Sequence, residues 1–284
     1  MLNAMKNTVI VLFLAFLLAL AGSQGGISFR GVPLFALCAL LAFAIQWIAF
    51  VPAYLLQTEK FYDLTGSMTF ISVMLLAWLS GDGSDYRSAL LAGCVILWAL
   101  RLGSFLFRRI LADGNDTRFD KIKPVPSRFF FTWTLQGLWV LTTSACALAA
   151  ITSLKRVPLQ WIDSFGLAVF LTGFSIEVVA DRQKRRHRAQ HGPHQFIGSG
   201  LWRLSRHPNY FGEITLWCGV ALLALPALQG WTWFTLVSPV FVTVLLTRIS
   251  GIPLLERKAD QRWGNDPQYQ AYKSRTPALV PRWR

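Results

Sequence analysis

The sequence is poor in acid and poorer in histidine. Fourteen Asp and Glu face 28 Lys and Arg, and charged residues make up only 15% of the chain. Four histidines leave little from which to build a histidine-rich centre such as a membrane di-iron site. His187, His191 and His194 are spaced by four and three, but they stand among arginines and lysines with no carboxylate between them, so no metal is expected there. The cysteines Cys38, Cys94, Cys146 and Cys218 form no CxxC pair and all lie inside apolar runs. That pattern predicts buried free thiols, with neither a metal nor a disulfide. No internal repeat or low-complexity tract divides the chain, which reads as one transmembrane domain over 1–284, with N-terminal helices in 1–55 and a catalytic region in 56–284.

What the sequence has is apolar surface. Hydrophobic residues make up 54% of it, with 12 Trp and 21 Phe, the composition of an integral membrane protein. The net charge of +14 gathers in a few gaps between apolar runs, so it follows the positive-inside rule and not a nucleic-acid footprint. The expected fold is an all-α bundle of seven or eight transmembrane helices. The apolar runs are 8–22, 31–56, 68–80, 88–107, 129–151, 161–180, 214–228 and 231–249. The first ends near Ala19-Leu20-Ala21, so it reads either as a cleaved signal peptide or, preferred here, as a short first span. The run at 68–80 is short of the roughly 20 residues a span needs. Its helix is either tilted or begins within TEKFYDLTG, with Gly66 as a possible break. Arg101 lies inside a span, at a cost of about 2.5–3.5 kcal/mol unless it is paired or faces a polar cavity. The basic gaps 108–128, 182–207 and 250–284 fall on one side, expected to be cytoplasmic and to include the C-terminus, as in a bacterial inner membrane. Lys155 and Arg156 are a minor exception. Trp263, Tyr269, Tyr272 and Trp283 are candidate interface anchors.

The longest polar interval is 181–213. Seven Arg or Lys lie between Arg182 and Pro208, and the next acid is Glu213. Glu177 and Asp181 are spaced i, i+4 and share one helix face, which Arg185 and then Arg188 extend if the helix persists. Carboxylates accept hydrogen bonds from ribose hydroxyls, and arginines match phosphate with a planar fork. A helix end that snorkels its charges into water and headgroups has the same pattern. In the following GLWRLSRHPNYFGE, Arg203, Arg206 and His207 suit phosphates, Asn209 suits a carboxamide, and Trp202 and Tyr210 offer flat faces to a ring. Glu213 lies near a helix start. Arg248, at the end of the last span, joins this candidate cofactor set.

A second candidate is Gln57-Thr58-Glu59-Lys60-Phe61-Tyr62. A Glu at the membrane end of an apolar segment is a functional suspect. If buried, its pKa should rise, and a protonated carboxyl or the Tyr62 hydroxyl would then donate to a substrate carbonyl. The plainer alternative is a Glu59–Lys60 surface pair.

LWRLSRHPNYFGEITLW, residues 201–217, resembles the nucleotide-binding segment of the steroid 5α-reductase family, here in its bacterial branch, which that family shares with the sterol C14-reductases. The Asp181-x-x-x-Arg185-x-x-Arg188 run, TEKFYDLTG, and Tyr269…Tyr272…Thr276…Val280-Pro281 resemble it too, so the likeness covers roughly residues 55–284. The resemblance implies an all-helical membrane fold of about seven spans and an NADPH pocket open to the cytoplasm. It also implies a lipophilic enone that enters from the bilayer and takes hydride at its β-carbon. It makes Glu59 the carbonyl-polarising carboxyl, puts Asn209 and Glu213 beside the nicotinamide end, and puts Asp181, Arg185 and Arg188 at ribose and phosphates. This chain departs from the family in three places. Thr58 separates Gln57 from Glu59, Trp98 stands near the place of the family's polarising Tyr (with Tyr62 as the substitute), and Glu177 replaces an Asn.

The rival reading is an S-adenosylmethionine-dependent membrane methyltransferase of the isoprenylcysteine or phospholipid type, which shares RHPxYxG. Asn209 before Tyr210, Glu213 after Gly212, and the arginine cluster favour the reductase. A transporter or scaffold is the non-enzyme alternative, and the lack of repeats and of midplane polar groups disfavours it. The expected partners are the lipophilic substrate and membrane lipid, with no nucleic acid.

Overall fold

A computed structural model describes residues 2–81, 85–192 and 195–282. Among the described residues the chain is 78% helical with almost no strand, an all-α membrane protein with eight helices long and apolar enough to span. The long helices are α1 Leu2–Gly22, α2 Leu34–Leu55, α3 Tyr62–Ser80, α4 Tyr86–Asp113, α5 Pro126–Ile151, α6 Trp161–His191 and α7 Pro208–Ala224. The last span, Gly230–Trp263, is composite: a 3-10 stretch, α8 Val237–Val244, a π turn at Leu245–Ile249 and α9 Ile252–Trp263. Helix α10 is Pro267–Arg275. Two-residue strands Ser28–Phe29 and Val32–Pro33 form a hairpin before α2, turned by Arg30 and Gly31 at positive φ.

Helix α3 begins at Tyr62 and so recruits YDLTG into the short apolar run. Gly66 does not break it. A Cβ there would strike the Gln136 amide of α5, so this glycine serves close packing. Helix α6 continues eleven residues past the apolar run, because Arg, Gln, Lys and Ala are good helix formers. It stops at Gly192, whose φ of +72° and N–H bond to Arg188 O at 3.0 Å make a left-handed C-cap. Pro208 opens α7 because the first helical N–H has no partner to lose.

Contacts divide the chain into two units. Unit 1 is Met1–Asp163 with Leu223–Ser238. Its axis is α5, on which α1, α2, α3 and α4 all pack. Every residue from Val140 to Ile151 is buried, most of them Ala, Ser and Thr, whose small side chains let neighbouring helices approach. At one end of this unit Arg87 forms a buried bidentate pair with Asp163 (3.0 and 2.7 Å), and Arg156 pairs with Asp85 at 3.4 Å. Arg156 is thus locally neutralised, which accounts for its half of the exception to the charge pattern, while Lys155 Nζ donates to the Leu228 carbonyl at 3.4 Å. Exposed Tyr86, Trp161, Trp231 and Trp233 flank the same loops, a suitable anchor set for an interface.

Unit 2 is Ser164–Leu222 with Pro239–Arg284. Here α6 and α7 meet backbone to backbone. A Cβ on Gly212 would lie 2.6 Å from both Glu177 N and Gly173 O, and one on Gly219 would lie 2.5 Å from Phe170 N. Three sequence expectations change. Cys218 is exposed on α7, since the side of a spanning helix that faces lipid is as apolar as a core. Tyr269 and Tyr272 are buried and are not interface anchors. Trp263 packs edge-on to Phe196 instead of standing free. Trp283 and His194 lie outside the described residues.

Candidate active site

Glu59 lies in the turn between α2 and α3, with only 4% of its surface exposed. Its Oε1 accepts the Asp116 N–H at 2.8 Å, and its Oε2 accepts Lys123 Nζ. Burial pushes the carboxyl up, but the hydrogen bonds from Lys123 and Asp116 and the Lys123 charge outweigh it and hold the pKa below the ordinary value. The expected rise in pKa is therefore corrected, because the partner sits 64 residues away in the basic gap 108–128, where sequence spacing does not reveal it. Nor is Lys60 the partner. Lys123 has 16% of its side chain exposed, and among the described residues Glu59 uses one of its three N–H donors. Around the pair, Arg118 binds Asp116, and Arg109 approaches Asp63 at 3.6 Å.

The two other predicted catalytic side chains are differently employed. Tyr62 OH donates to Thr132 O at 3.0 Å, and its ring meets Trp133 edge-on at 5.1 Å. Gln136 Nε2 donates to Tyr62 O at 3.0 Å. Gln57 is exposed, sits at φ +49°, and turns its amide back to Tyr54 O at 2.7 Å. Trp98 is fully buried against Phe70.

In unit 2, Glu177 and Asp181 are buried on α6, 3% and 8% exposed, and Arg185 and Arg188 follow as exposed residues on the same unbroken helix. Trp202 holds the next segment to α6 by donating from Nε1 to Ala180 O at 3.1 Å, and Lys184 lies 4.9 Å above its ring. The Leu201 N–H bonds Gln183 Oε1 at 2.9 Å. His187 and His191 stack at 4.4 Å.

Arg206 and His207 are engaged within the fold. The Arg206 fork takes both oxygens of Glu256 at 3.1 Å, its third nitrogen donates to Lys273 O and Thr276 O, and His207 Nε2 meets Glu256 Oε1 at 2.7 Å. Burial lowers the His207 pKa more than Glu256 raises it, so the ring is neutral and donates through Nε2. Sequence reasoning missed Glu256, although it is one of only three acids after position 250. Tyr210 stacks on His207. Asn209 is half-buried, and its Oδ1 is buried with no hydrogen-bond partner among the described residues. Glu213 is half-buried in α7, Arg203 is exposed, and Arg248 is exposed on the π turn.

Among curated proteins, the chain is 23% identical over 228 residues to the uncharacterized protein C594.04c of Schizosaccharomyces pombe, covering 69% of this chain and 64% of that one. It is 34% identical over 74 residues to the steroid 5-alpha-reductase DET2 of Arabidopsis thaliana, covering 26% of each. It thus spans less than two thirds of either relative. The reductase similarity is weak and points to a reductase-like family. A family model described as "Protein of unknown function (DUF1295)" matches residues 49–276, well over half of the sequence, and the chain belongs to that family.

Proposed function

We propose that this protein reduces the C=C bond of a lipophilic enone with NADPH, the Δ4 bond of a 3-oxo steroid being the first substrate class to test. The observation that carries the reading is the single face of α6, where buried Glu177 and Asp181 are followed by exposed Arg185 and Arg188 without a break in the helix. The partial likeness to a steroid reductase supports it. NADPH, when bound, would supply the hydride.

The residues present suit that cofactor. Asn209 Oδ1 is a buried acceptor in want of a donor, and a carboxamide N–H is one. Asp181 and Glu177 would accept from ribose hydroxyls, Arg185 and Arg188 would grip phosphates, and Tyr210 would offer a ring face, while Trp202, buried beneath Lys184, would hold the segment to α6. Glu213 would lie at the nicotinamide end. Arg206 and His207 would support the segment through Glu256. At the substrate end, the ionised Glu59 holds Lys123, and the Lys123 ammonium would donate to the enone oxygen as negative charge develops there. Tyr62 and Gln57 would shape the turn. The cofactor would approach from the cytoplasm, on the C-terminal side, and the substrate from the bilayer.

Purified protein should bind NADPH and oxidise it when given a 3-oxo-Δ4 steroid. Titration that gives S-adenosylmethionine binding and no NADPH binding would sink this reading in favour of a methyltransferase.

A further inference from the structure

In unit 2 the chain after α10 runs along residues 204–206 and is laced to them. Arg206 N donates to Pro277 O at 2.9 Å, Ser205 Oγ to Leu279 O at 2.7 Å, and Arg282 N to Leu204 O at 3.0 Å. Arg206 Nη1 ties down Lys273 O and Thr276 O. Beside this lacing lies a cavity of about 170 Å³, lined by Arg203, Leu204, Arg275, Thr276, Pro277 and Arg282.

Three guanidinium-bearing residues and no acid line the cavity. All three arginines are exposed, and among the described residues none of them forms an ion pair. The nearby acids are committed elsewhere. Glu256 serves Arg206, His207 and Lys273; Asp260 serves Lys273 and Tyr269; Asp266 caps α10 through the Gln268 N–H. Like charges repel, so gathering three of them has a cost, and an anion would remove it. The lacing uses main chain, Ser205 and Arg206, so the cavity keeps its form without help from the three side chains that line it. Such preorganisation favours binding. The planar forks match the oxygens of phosphate. The volume is below the roughly 300 Å³ at which pockets for whole drug-sized ligands begin, so it fits a phosphate group whose substituent stays outside. Val280, 64% exposed in the same segment, adds an apolar edge suited to an amphiphile.

We propose that Arg203, Arg275 and Arg282 form a phosphate-binding site, distinct from the arginine face of α6, which takes the phosphodiester of an anionic phospholipid or a soluble phosphate ester. It does not depend on the reductase reading, since no turnover is needed to see it.

The test compares the full chain in detergent with its Arg275→Gln/Arg282→Gln variant. Each is titrated with phosphatidylglycerol, with phosphatidylcholine and with inorganic phosphate, and binding is read by native mass spectrometry and by thermal protection. Phosphatidylglycerol or inorganic phosphate should bind the wild type at least tenfold more tightly than the variant, and phosphatidylcholine should show no such preference. Preference for the lipid identifies a headgroup, and equal protection by inorganic phosphate identifies a soluble ester. The idea fails if neither anion distinguishes the two proteins. It also fails if the variant loses NADPH affinity and not anion affinity, because the pocket would then belong to the cofactor. Arg275→Lys/Arg282→Lys keeps the charge and removes the fork; it should retain part of the binding and carries the test if the Gln variant misfolds.

Discussion

The polar regions of the two units handle charge in opposite ways. Around Glu59 the acids and bases match: Lys123 on Glu59, Arg118 on Asp116, Arg109 near Asp63. Around Arg203 the acids are drawn off by Arg206, His207 and Lys273, and an excess of positive charge remains on the surface. A balanced cluster with a buried carboxylate at its centre suits a neutral lipophilic substrate whose charge develops only during reaction. An unbalanced, exposed one suits a ligand that is already anionic. The same contrast separates bases that serve the fold, such as the buried Arg87, from bases left for partners.

The largest expected effect breaks the balance in unit 1. Lys123→Met leaves a buried carboxylate without its cation, which should cost about 3–5 kcal/mol of stability, toward the lower end because Lys123 is partly exposed. Glu59→Gln/Lys123→Met removes both charges and should recover most of that loss in a denaturant or thermal melt. If Lys123 is the proton donor, turnover in the recovered double variant stays down by roughly 10²–10³ with NADPH affinity nearly unchanged. Full activity in that variant would remove Lys123 from the chemistry. Glu59→Gln alone keeps the ammonium and should lower turnover less.

A second comparison sets backbone contact against side-chain contact. Gly212→Ala drives a methyl into the Glu177 and Gly173 backbones and should destabilise unit 2 by about 1–3 kcal/mol. Gly66→Ala meets side-chain atoms and no backbone, the Gln136 amide foremost, which can move, and should cost less. Equal losses in thermal melts of the two variants would contradict the backbone-to-backbone packing of α6 on α7.

What was legible in the sequence follows the same division. Apolar runs gave the spans because length and hydropathy are local properties. The i, i+4 order of Glu177, Asp181 and Arg185 was readable because the helix repeat alone puts them on one face. The employment of charges was not readable. Glu59 and Lys123, or Arg206 and Glu256, are joined only by tertiary structure across 64 and 50 residues. Tyr269 and Tyr272 resembled interface anchors, but their hydroxyls bond Asp260 and Trp202 O inside unit 2. Gly66 resembled a breaker because a glycine that permits close approach has the same letter as one that ends a helix.

A third prediction sharpens the role of the unit 2 bases. Arg188→Ala should weaken NADPH roughly tenfold and leave NADH almost unaffected, as expected if its fork holds a 2′-phosphate. Arg188 is exposed near the end of α6, where surface contacts contribute about 0–1 kcal/mol, so its removal should move the melt only slightly. Isothermal titration with both nucleotides decides this, and a parallel loss for NADH would detach Arg188 from the 2′ position.

The smallest effect separates the units by pH. The folded pKa of His207 lies below its ordinary value of 6.5, mainly through burial, while that of the unfolded chain does not. Its contribution to stability is complete above pH 6.5 and is lost as pH falls through the folded value. Glu59 is likewise depressed, from 4.5, so its contribution is complete above pH 4.5 and is lost only below that. On acidification from pH 8, stability should therefore begin to fall in unit 2 near pH 6.5, while the Glu59 cluster holds until about two units lower. Each step should move Tm by no more than about 2–4 °C, the shift that 1 kcal/mol makes in a domain of this size. His207→Gln should flatten the Tm profile just below pH 6.5, and Glu59→Gln should flatten it below 4.5. A His207→Gln profile identical to wild type in the upper window would mean that the ring takes up its proton as readily folded as unfolded, and the neutral His207–Glu256 contact would have to be abandoned.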